Sequence, residues 1–407
     1  MKITVIGAGI AGCSIVKELN QVGYQVTLID EGVKAAGMTS ANQAALSHPY
    51  LSKRSTRLQL FTRFANRLTY IEHQKSIVSR GAYRPMKQVD WISQSFQDEI
   101  LASLGFTAQE ARAISLEEAY PLTGLNRPGI WFSEGAIYDI RHICEKAIEG
   151  IFPERIKFTT KIHNIKRYNN LWCSYDEQGS LVDSAHVLIL ASGLPTKKIL
   201  ESLDIHIPLR PVRGQLSQFS IANDSALAPF LPTVALCGKG YSTVPTKRSE
   251  GAYEWQVGST YDEGSEDLEQ WQQSHTHNKK HAMELLDCKY ALLSELETQS
   301  AFVGVRCMAG DQLPLIGAIP ENPGLFIACA YGARGVMWST IGAKLIKTYV
   351  DAFFATEGFL RAGFFSGAPA AVEASFVRAV DPARFLSGAL GSLGAFTSNS
   401  KPTFPVS

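Results

Sequence analysis

The sequence has almost no net charge: 39 lysines and arginines stand against 38 aspartates and glutamates, a formal balance of +1. That excludes a uniformly basic nucleic-acid binder, whose affinity would come from an overall excess of cations. The seven cysteines are odd in number and widely spaced, and no C-x-x-C occurs. Zinc ribbons and disulfide frameworks need clustered thiols, so reduced, mostly buried cysteines in a cytoplasmic protein are expected. No apolar run reaches the ~18 residues of a membrane span, and Met1-Lys2 is followed by no signal-peptide pattern. A metal centre is not expected either. His275, His277 and His281 lie in a polar stretch whose acids and lysines read as a solvated face. No internal repeat is visible. Length and apolar content are ample: 407 residues, 45% hydrophobic and 19% charged, suit roughly two or three packed domains and not a disordered chain.

The chain opens with a βαβ pattern. Residues 3–6 are a short apolar run, residues 10–22 carry Ile10, Ile15, Leu19 and Val22 at helical spacing, and residues 25–30 read as a second strand. Between the first two lies Gly7-Ala8-Gly9-Ile10-Ala11-Gly12, a G-x-G-x-x-G. Gly7 allows the tight turn, Gly9 lets backbone approach a pyrophosphate, and Gly12 lets helix and strand pack closely. The free N–H groups of the helix start would face the phosphates. Asp30 ends the second strand 18 residues after Gly12, where an acid binds ribose hydroxyls, and Glu31 is placed to share that role.

Further along, residues 55–78 read as a helix, 88–93 as a half-buried strand and 97–120 as short helices and loops. Residues 139–150 read as a helix capped by Asp139. Strands are expected at 155–165, 171–182, 185–191 and 325–330, an antiparallel sheet from 208–219, 241–245 and 254–260, and helices at 267–297 and 335–350. Beyond about 355 the chain turns rich in Gly, Ala and Ser and ends as a loose tail.

The nucleotide reads as FAD. A flavin-type nicotinamide reductase would carry a second G-x-G-x-x-G, and none follows. Three later glycine turns fit flavin contacts instead. They are Ala191-Ser192-Gly193 at the end of an apolar strand, the Gly310-Asp311 turn, and Gly332-Ala333-Arg334-Gly335 before a helix. N–H groups at that last helix start would stabilise the negative charge of a reduced flavin.

The sequence resembles the D-amino-acid oxidase/glycine oxidase superfamily of FAD amine oxidases. Within it, the likeness is to the oxidase half of the bifunctional tRNA 5-methylaminomethyl-2-thiouridine biosynthesis proteins. It is carried by Ser40-Ala41-Asn42-Gln43, His48-Pro49-Tyr50-Leu51-Ser52-Lys53, Pro211-Val212-Arg213-Gly214-Gln215, Gly240-Tyr241, Gly258-Ser259-Thr260-Tyr261, Gly304-Val305-Arg306-Cys307, Asp311-Gln312-Leu313-Pro314 and Gly332-Ala333-Arg334-Gly335. Ser40-Ala41-Asn42 stands where the family usually has Ser-Gly-Asn, and Gly310-Asp311 where it has Arg-Asp. The resemblance implies an α/β fold, with a Rossmann-type FAD domain and an antiparallel-sheet substrate domain. The expected division gives 1–85, 136–207 and 305–352 to the FAD domain, 86–135 and 208–304 to the substrate domain, and 353–407 to a C-terminal extension. The extension includes an Asp381-Pro382-Ala383-Arg384-Phe385 motif.

The implied reaction removes the carboxymethyl group of 5-carboxymethylaminomethyl-(2-thio)uridine at the tRNA wobble position. Hydride passes from the glycine-like methylene to FAD, and hydrolysis of the imine gives glyoxylate and the 5-aminomethyl uridine. No methyltransferase half precedes the first strand, so a stand-alone oxidase, with a separate SAM-dependent methyltransferase as a partner, is the expectation. Arg306 is the implied clamp for the substrate carboxylate, since a guanidinium holds it by two parallel bonds; the bland alternative is an ion pair with Asp311. Tyr241 would donate its hydroxyl to the same carboxylate, and Arg334 would touch flavin or substrate. Ser40 and Asn42 join the FAD contacts.

Charge distribution supports a nucleic-acid partner. Segment 52–90 holds nine basic residues against Glu72 and Asp90, interleaved with aromatics. Such a patch suits tRNA phosphates near the anticodon, while a pocket selects the flipped base. The acidic run from Asp262 to Glu269 is expected to face away from the RNA. The competing reading is a glycine, sarcosine or D-amino-acid oxidase or dehydrogenase acting on a free small amine.

Overall fold

The computed structural model describes residues 1–248, 251–355 and 370–386. The first sheet has six strands in the order Leu315–Ala318, Leu325–Cys329, Val187–Leu190, Lys2–Ile6, Gln25–Ile29 and Ile156–Lys157. All pairs are parallel except Leu315–Ala318 on Leu325–Cys329. Four residues in each of Lys2–Ile6 and Val187–Leu190 are buried, as continuous apolar runs covered on both faces require. One face is covered by the helices Ile10–Gln21, Ile140–Ile148 and Gly335–Phe354, with Arg57–Glu72 behind the last of these. The other is covered by the three-stranded meander Asn164–Tyr168, Leu171–Tyr175 and Leu181–Ala185 together with Thr196–Glu201. The strand order reverses between the parallel neighbours Lys2–Ile6 and Val187–Leu190: the sheet builds outward from Lys2–Ile6 on one side and from Val187–Leu190 on the other. Their carboxyl ends therefore flank the switch point at which open α/β sheets bind ligands.

The second sheet is mixed and has eleven strands. Its long element, Leu209–Ala222, pairs antiparallel with Glu297–Ala309 on one side and Ala252–Gly258 on the other. The sheet continues through Tyr241–Ser242, Ala235–Cys237, Ile77–Pro85 and Gly129–Tyr138 to Ala45–Ser47. Ile77–Pro85 lies inside the expected 1–85 FAD unit, yet it pairs with Gly129–Tyr138 across the expected 85/86 and 135/136 boundaries.

Local expectations fared unevenly. Asp139 caps Ile140–Ile148 by accepting from the His142 amide at 3.1 Å. Residues 88–90 form a single 3₁₀ turn, not a strand. The 55–78 helix is Arg57–Glu72, and from Ile77 the chain enters the mixed sheet. The 267–297 helix is only Gln272–Leu286. That helix turns His275 and His281 inward, against the solvated face expected of them. For His275 polar groups of the facing strand are the reason: Ser217 bonds its ring at 2.9 Å, and the neighbouring Asn278 donates to Gln215 O and Ser217 Oγ. Among the described residues no group of three or more His, Cys, Asp or Glu gathers as a metal set. The expected tail beyond 386 and residues 356–369 lie outside the described residues.

Candidate active site

A cavity of about 1040 Å³ opens where the two sheets meet. One end is made of backbone. Gly7, at φ +109°, sits so close to the next strand that a Cβ would stand 2.6 Å from Ala191 C and 2.7 Å from Ser192 Cα. A Cβ on Gly12 would overlap the Gly7 carbonyl. Ala8, Gly9, Ile10 and Ala11 line the cavity beside Asp30, Glu31 and Ser40. Gly9 brings no capping side chain to the helix that begins at Ile10. Ser40 reaches in and accepts from the Ile10 amide at 3.0 Å. Both Asp30 oxygens are held by the loop itself, from Ala8 N at 2.6 Å and Gly32 N at 2.7 Å. Glu31 lies on the rim, 3.4 Å from Lys161. Asp30 thus shapes the turn, and Glu31 is the acid of the two held only by an exposed lysine.

Of the three later glycine turns, two line the cavity. Ala191-Ser192-Gly193 follows Val187–Leu190, with Gly193 at φ +65°. Gly332-Ala333-Arg334-Gly335 forms a 3₁₀ turn that opens the helix Gly335–Phe354 beside Ile10. The third does not behave as expected. Gly310 and Asp311 lie outside the lining, and Asp311 is gripped by Arg384, with Nε to Oδ2 at 2.7 Å and Nη2 to Oδ1 at 3.2 Å. The neighbouring Gln312 lines the cavity in their place. The spacing of the turn was readable, but a long-range ion pair decided which of its residues turned inward.

The other end is made of side chains. Arg306 stands on Glu297–Ala309 directly opposite Val212, and Gly214 has no Cβ where the guanidinium lies. Its partners are neutral: Thr260 O at 3.2 Å and Ser259 Oγ. Burial lowers its pKa, while Tyr241, Tyr261 and Asp262 work against that shift. Asp311 is not its partner, and among the described residues no carboxylate lies within ion-pair distance of Arg306 or Arg334. Arg213, one strand position from Val212, is its opposite. It is fully buried and bonded to Asp262 at 3.1 Å, Gln215 at 2.9 Å and the carbonyls of Asp267 and Glu269, with the Trp271 ring 3.9 Å away. A buried cation without an anion is costly, and an incoming carboxylate on Arg306 would remove that cost.

Tyr241 lines the same end, but its hydroxyl is engaged: it donates to Ala44 O at 2.9 Å and accepts from Asn42 Nδ2 at 3.2 Å. Burial raises its pKa, and Asn42 and Arg306 pull it back down. Asn42 is thus tied to Tyr241 and to the Ala44 amide. Arg334 lies over the Tyr50 ring at 5.0 Å, and burial lowers its pKa. His48 also lines the cavity, its ring tilted against Phe132 with centroids 5.3 Å apart and Nδ1 2.9 Å from Pro49 O. Burial pushes it down to about 4, helped by Arg334 and Arg84, so it is neutral at physiological pH.

Four of the nine basic residues of segment 52–90 bond within the chain. Arg63 pairs with buried Glu110 at 3.0 Å, Arg67 lies 3.8 Å from Glu134, Arg80 donates to Tyr70 at 2.7 Å, and Arg84 to Leu51 O at 3.2 Å. Phe61, Phe64 and Tyr83 are core residues. Lys53, Arg54, Lys75 and Lys87 are exposed, the first two close after the lining residue Tyr50. Glu266 of the acidic run lines the cavity. Gln312 and Tyr261 stand in motifs of the resemblance but not among its expected site residues, and Lys161 carries no signal in the sequence; all three line the cavity.

The cavity's fit to a dinucleotide rests on the two glycines that no side chain can replace, and comparison with known proteins agrees. The family model "DAO: FAD dependent oxidoreductase" matches residues 2–348. The chain is 30% identical, over 95% of its length, to the tRNA 5-methylaminomethyl-2-thiouridine biosynthesis bifunctional protein MnmC of Ralstonia nicotianae, and 28% identical to that of Cupriavidus necator. It spans about 60% of the length of each. Its fold is similar to glycine oxidase from Geobacillus kaustophilus (TM-score 0.68, 16% identity, covering 89% of this chain and 99% of that one). It is likewise similar to iminodiacetate oxidase from Chelativorans sp. BNC1 (0.68, 18%, 90% and 98%). With FAD as the group the cradle holds, the chain belongs to the DAO family of FAD-dependent oxidoreductases.

Proposed function

We propose that the chain oxidises the CH–NH bond of a carboxylate-bearing secondary amine: the 5-carboxymethylaminomethyl-(2-thio)uridine of a tRNA wobble position, giving glyoxylate and 5-aminomethyl-(2-thio)uridine. One observation carries the carboxylate: Arg306 faces the cavity, and among the described residues its partners are all neutral. The MnmC-named relatives, matched over 95% of the chain, carry the tRNA. Bound FAD supplies the two-electron oxidation. Arg306 takes the carboxylate in a two-bond fork and so fixes the adjacent methylene. Arg334 adds positive charge beside it, which favours the neutral amine over the ammonium and readies it for loss of hydride. Neutral His48 presents a ring nitrogen to that amine. Lys53 and Arg54 hold phosphates at the mouth. Molecular oxygen is the proposed final acceptor and the cytoplasm the proposed location; among the described residues no helix is long and apolar enough to cross a membrane. The proposed division is an FAD unit (1–85, 136–207 and 305–352), a substrate unit (86–135 and 208–304) and a C-terminal extension (353–407), with the first two sharing the mixed sheet.

A second reading, a free glycine, sarcosine or D-amino acid as substrate, is favoured by the internal pairing of Arg63, Arg67, Arg80 and Arg84. Anaerobic mixing separates the two. Bleaching of the flavin by tRNA bearing the carboxymethylaminomethyl group supports the first reading, and bleaching by free amino acids alone overturns it. Lys53→Glu with Arg54→Glu should weaken tRNA binding and flatten its salt dependence by about one to two charges. An unchanged salt slope would place the RNA elsewhere.

A further inference from the structure

The motif Asp381-Pro382-Ala383-Arg384-Phe385 has no part in the function above, and the structure assigns it one. We propose that it is a latch that positions Gln312 against the bound dinucleotide, with Arg384 as the positioning residue. The inference rests on the FAD cavity and holds whichever amine is the substrate.

Arg384 makes five hydrogen bonds. Two form a fork on Asp311, two run from Nη2 to Leu313 O and Pro314 O at 3.1 Å each, and one runs from Nη1 to Asp381 O at 3.1 Å. The guanidinium therefore grips the chain on both sides of Gln312. Gln312 itself takes φ +63°, a left-handed conformation that a non-glycine residue holds only when its surroundings impose it. Its amide bonds Ala309 O at 3.1 Å, and Asp311 Oδ1 also accepts from Leu313 N at 3.1 Å. The result is a closed turn with one residue aimed at the cavity.

The latch is itself seated on the FAD-binding side. Asp381 accepts from Ala383 N at 2.9 Å and fixes the turn. Pro382 packs where a Cβ on Gly317 would meet it at 2.9 Å. Phe385 packs on the cluster that contains Cys307, Ala309 and Cys329. The preceding helix Ala370–Val380 buries Phe376, stacked on Trp338 at 6.0 Å and edge-on to Phe61 at 5.2 Å. Trp338 belongs to the helix that the Gly332–Gly335 turn opens. One strap thus ties together two turns at the cavity wall.

The test measures FAD affinity of the apoprotein by flavin fluorescence quenching, with the visible spectrum of the bound flavin and the Tm alongside. Arg384→Ala should weaken FAD tenfold or more and alter the flavin band shape. Arg384→Lys should recover only part, because an ammonium cannot reproduce the fork. Gln312→Ala should reproduce the affinity loss and the spectral change while leaving Tm near the parent's. A lowered Tm with unchanged affinity and spectrum in Arg384→Ala would overturn the proposal by making the motif merely structural. Should Arg384→Ala fail to fold, Gln312→Ala decides alone: parental affinity and spectrum overturn the latch.

Discussion

The two ends of the cavity are built from different materials. At the dinucleotide end the walls are main chain, brought close by the absence of side chains at Gly7 and Gly12. At the far end the walls are side chains, held by partners some 30 to 200 positions away in sequence, as Arg306 is by Thr260 and Tyr241 by Ala44. A backbone wall tolerates no addition, whereas a side-chain wall can be trimmed with graded loss. Substitutions should therefore divide into all-or-none effects on FAD and graded effects on turnover.

The largest effect belongs to the backbone end. Gly12→Val places its side chain on the Gly7 carbonyl, so the purified variant is expected to be colourless, with no flavin absorbance after reconstitution. A yellow variant with parental FAD content would break the comparison at its strongest point. Next comes Arg306→Ala. Removing one partner of a desolvated charge pair costs about 2–5 kcal/mol, or roughly 30- to 5,000-fold in kcat/KM on a carboxylate-bearing amine. FAD content should stay parental, and a substrate lacking the carboxylate should be affected far less. Equal losses on both substrates would remove the carboxylate from the role of Arg306.

This division also explains what the sequence disclosed. The cradle was legible because its chemistry is local: Gly7, Gly9, Gly12 and the next strand lie within thirty residues, and their spacing alone fixes the geometry. Arg306 was reached through resemblance, and nothing in the residues near it in sequence says that its partners would be uncharged. Asp311 was read as a cofactor contact because its turn is glycine-rich, and an arginine 73 positions later turned it outward. The basic segment follows the same logic. The acids that neutralise Arg63 and Arg67, Glu110 and Glu134, lie well beyond the helix that carries the arginines. Local charge counted along a chain is not local charge in space.

Acid stability should sharpen the comparison next, because one buried histidine sits at each side. His48 lines the substrate end. His73, bonded to Thr340 at 3.2 Å, lies between helices on the cofactor side. Burial lowers both to about 4 from 6.5. A lowered folded pKa means that the unfolded chain takes up protons first as pH falls below 6.5, so stability drops through that window and the loss is complete below about 4. Each histidine contributes about 3 kcal/mol to that loss. Unfolding measured from pH 7 to 4 should show a shallower decline in His48→Gln and in His73→Gln than in the parent. Identical slopes would mean that these rings are not held neutral by the fold.

The smallest effect is expected at Tyr241. Its hydroxyl was read as a second donor to the substrate carboxylate, yet it already donates to Ala44 O and accepts from Asn42. If those bonds persist with substrate bound, Tyr241→Phe removes a hydrogen-bond pair that only braces the loop carrying Asn42, at a net cost of about 1 kcal/mol. A merely bracing bond then lowers kcat/KM by at most about fivefold, by the same factor for substrates with and without a carboxylate. If the hydroxyl instead swings from Ala44 to the carboxylate, the loss is larger for the carboxylate-bearing amine alone and appears mainly in KM, because the bond is made in the bound ground state as well as in the transition state. Measuring both kinetic constants on the two substrates decides whether the side-chain end has one carboxylate donor or two.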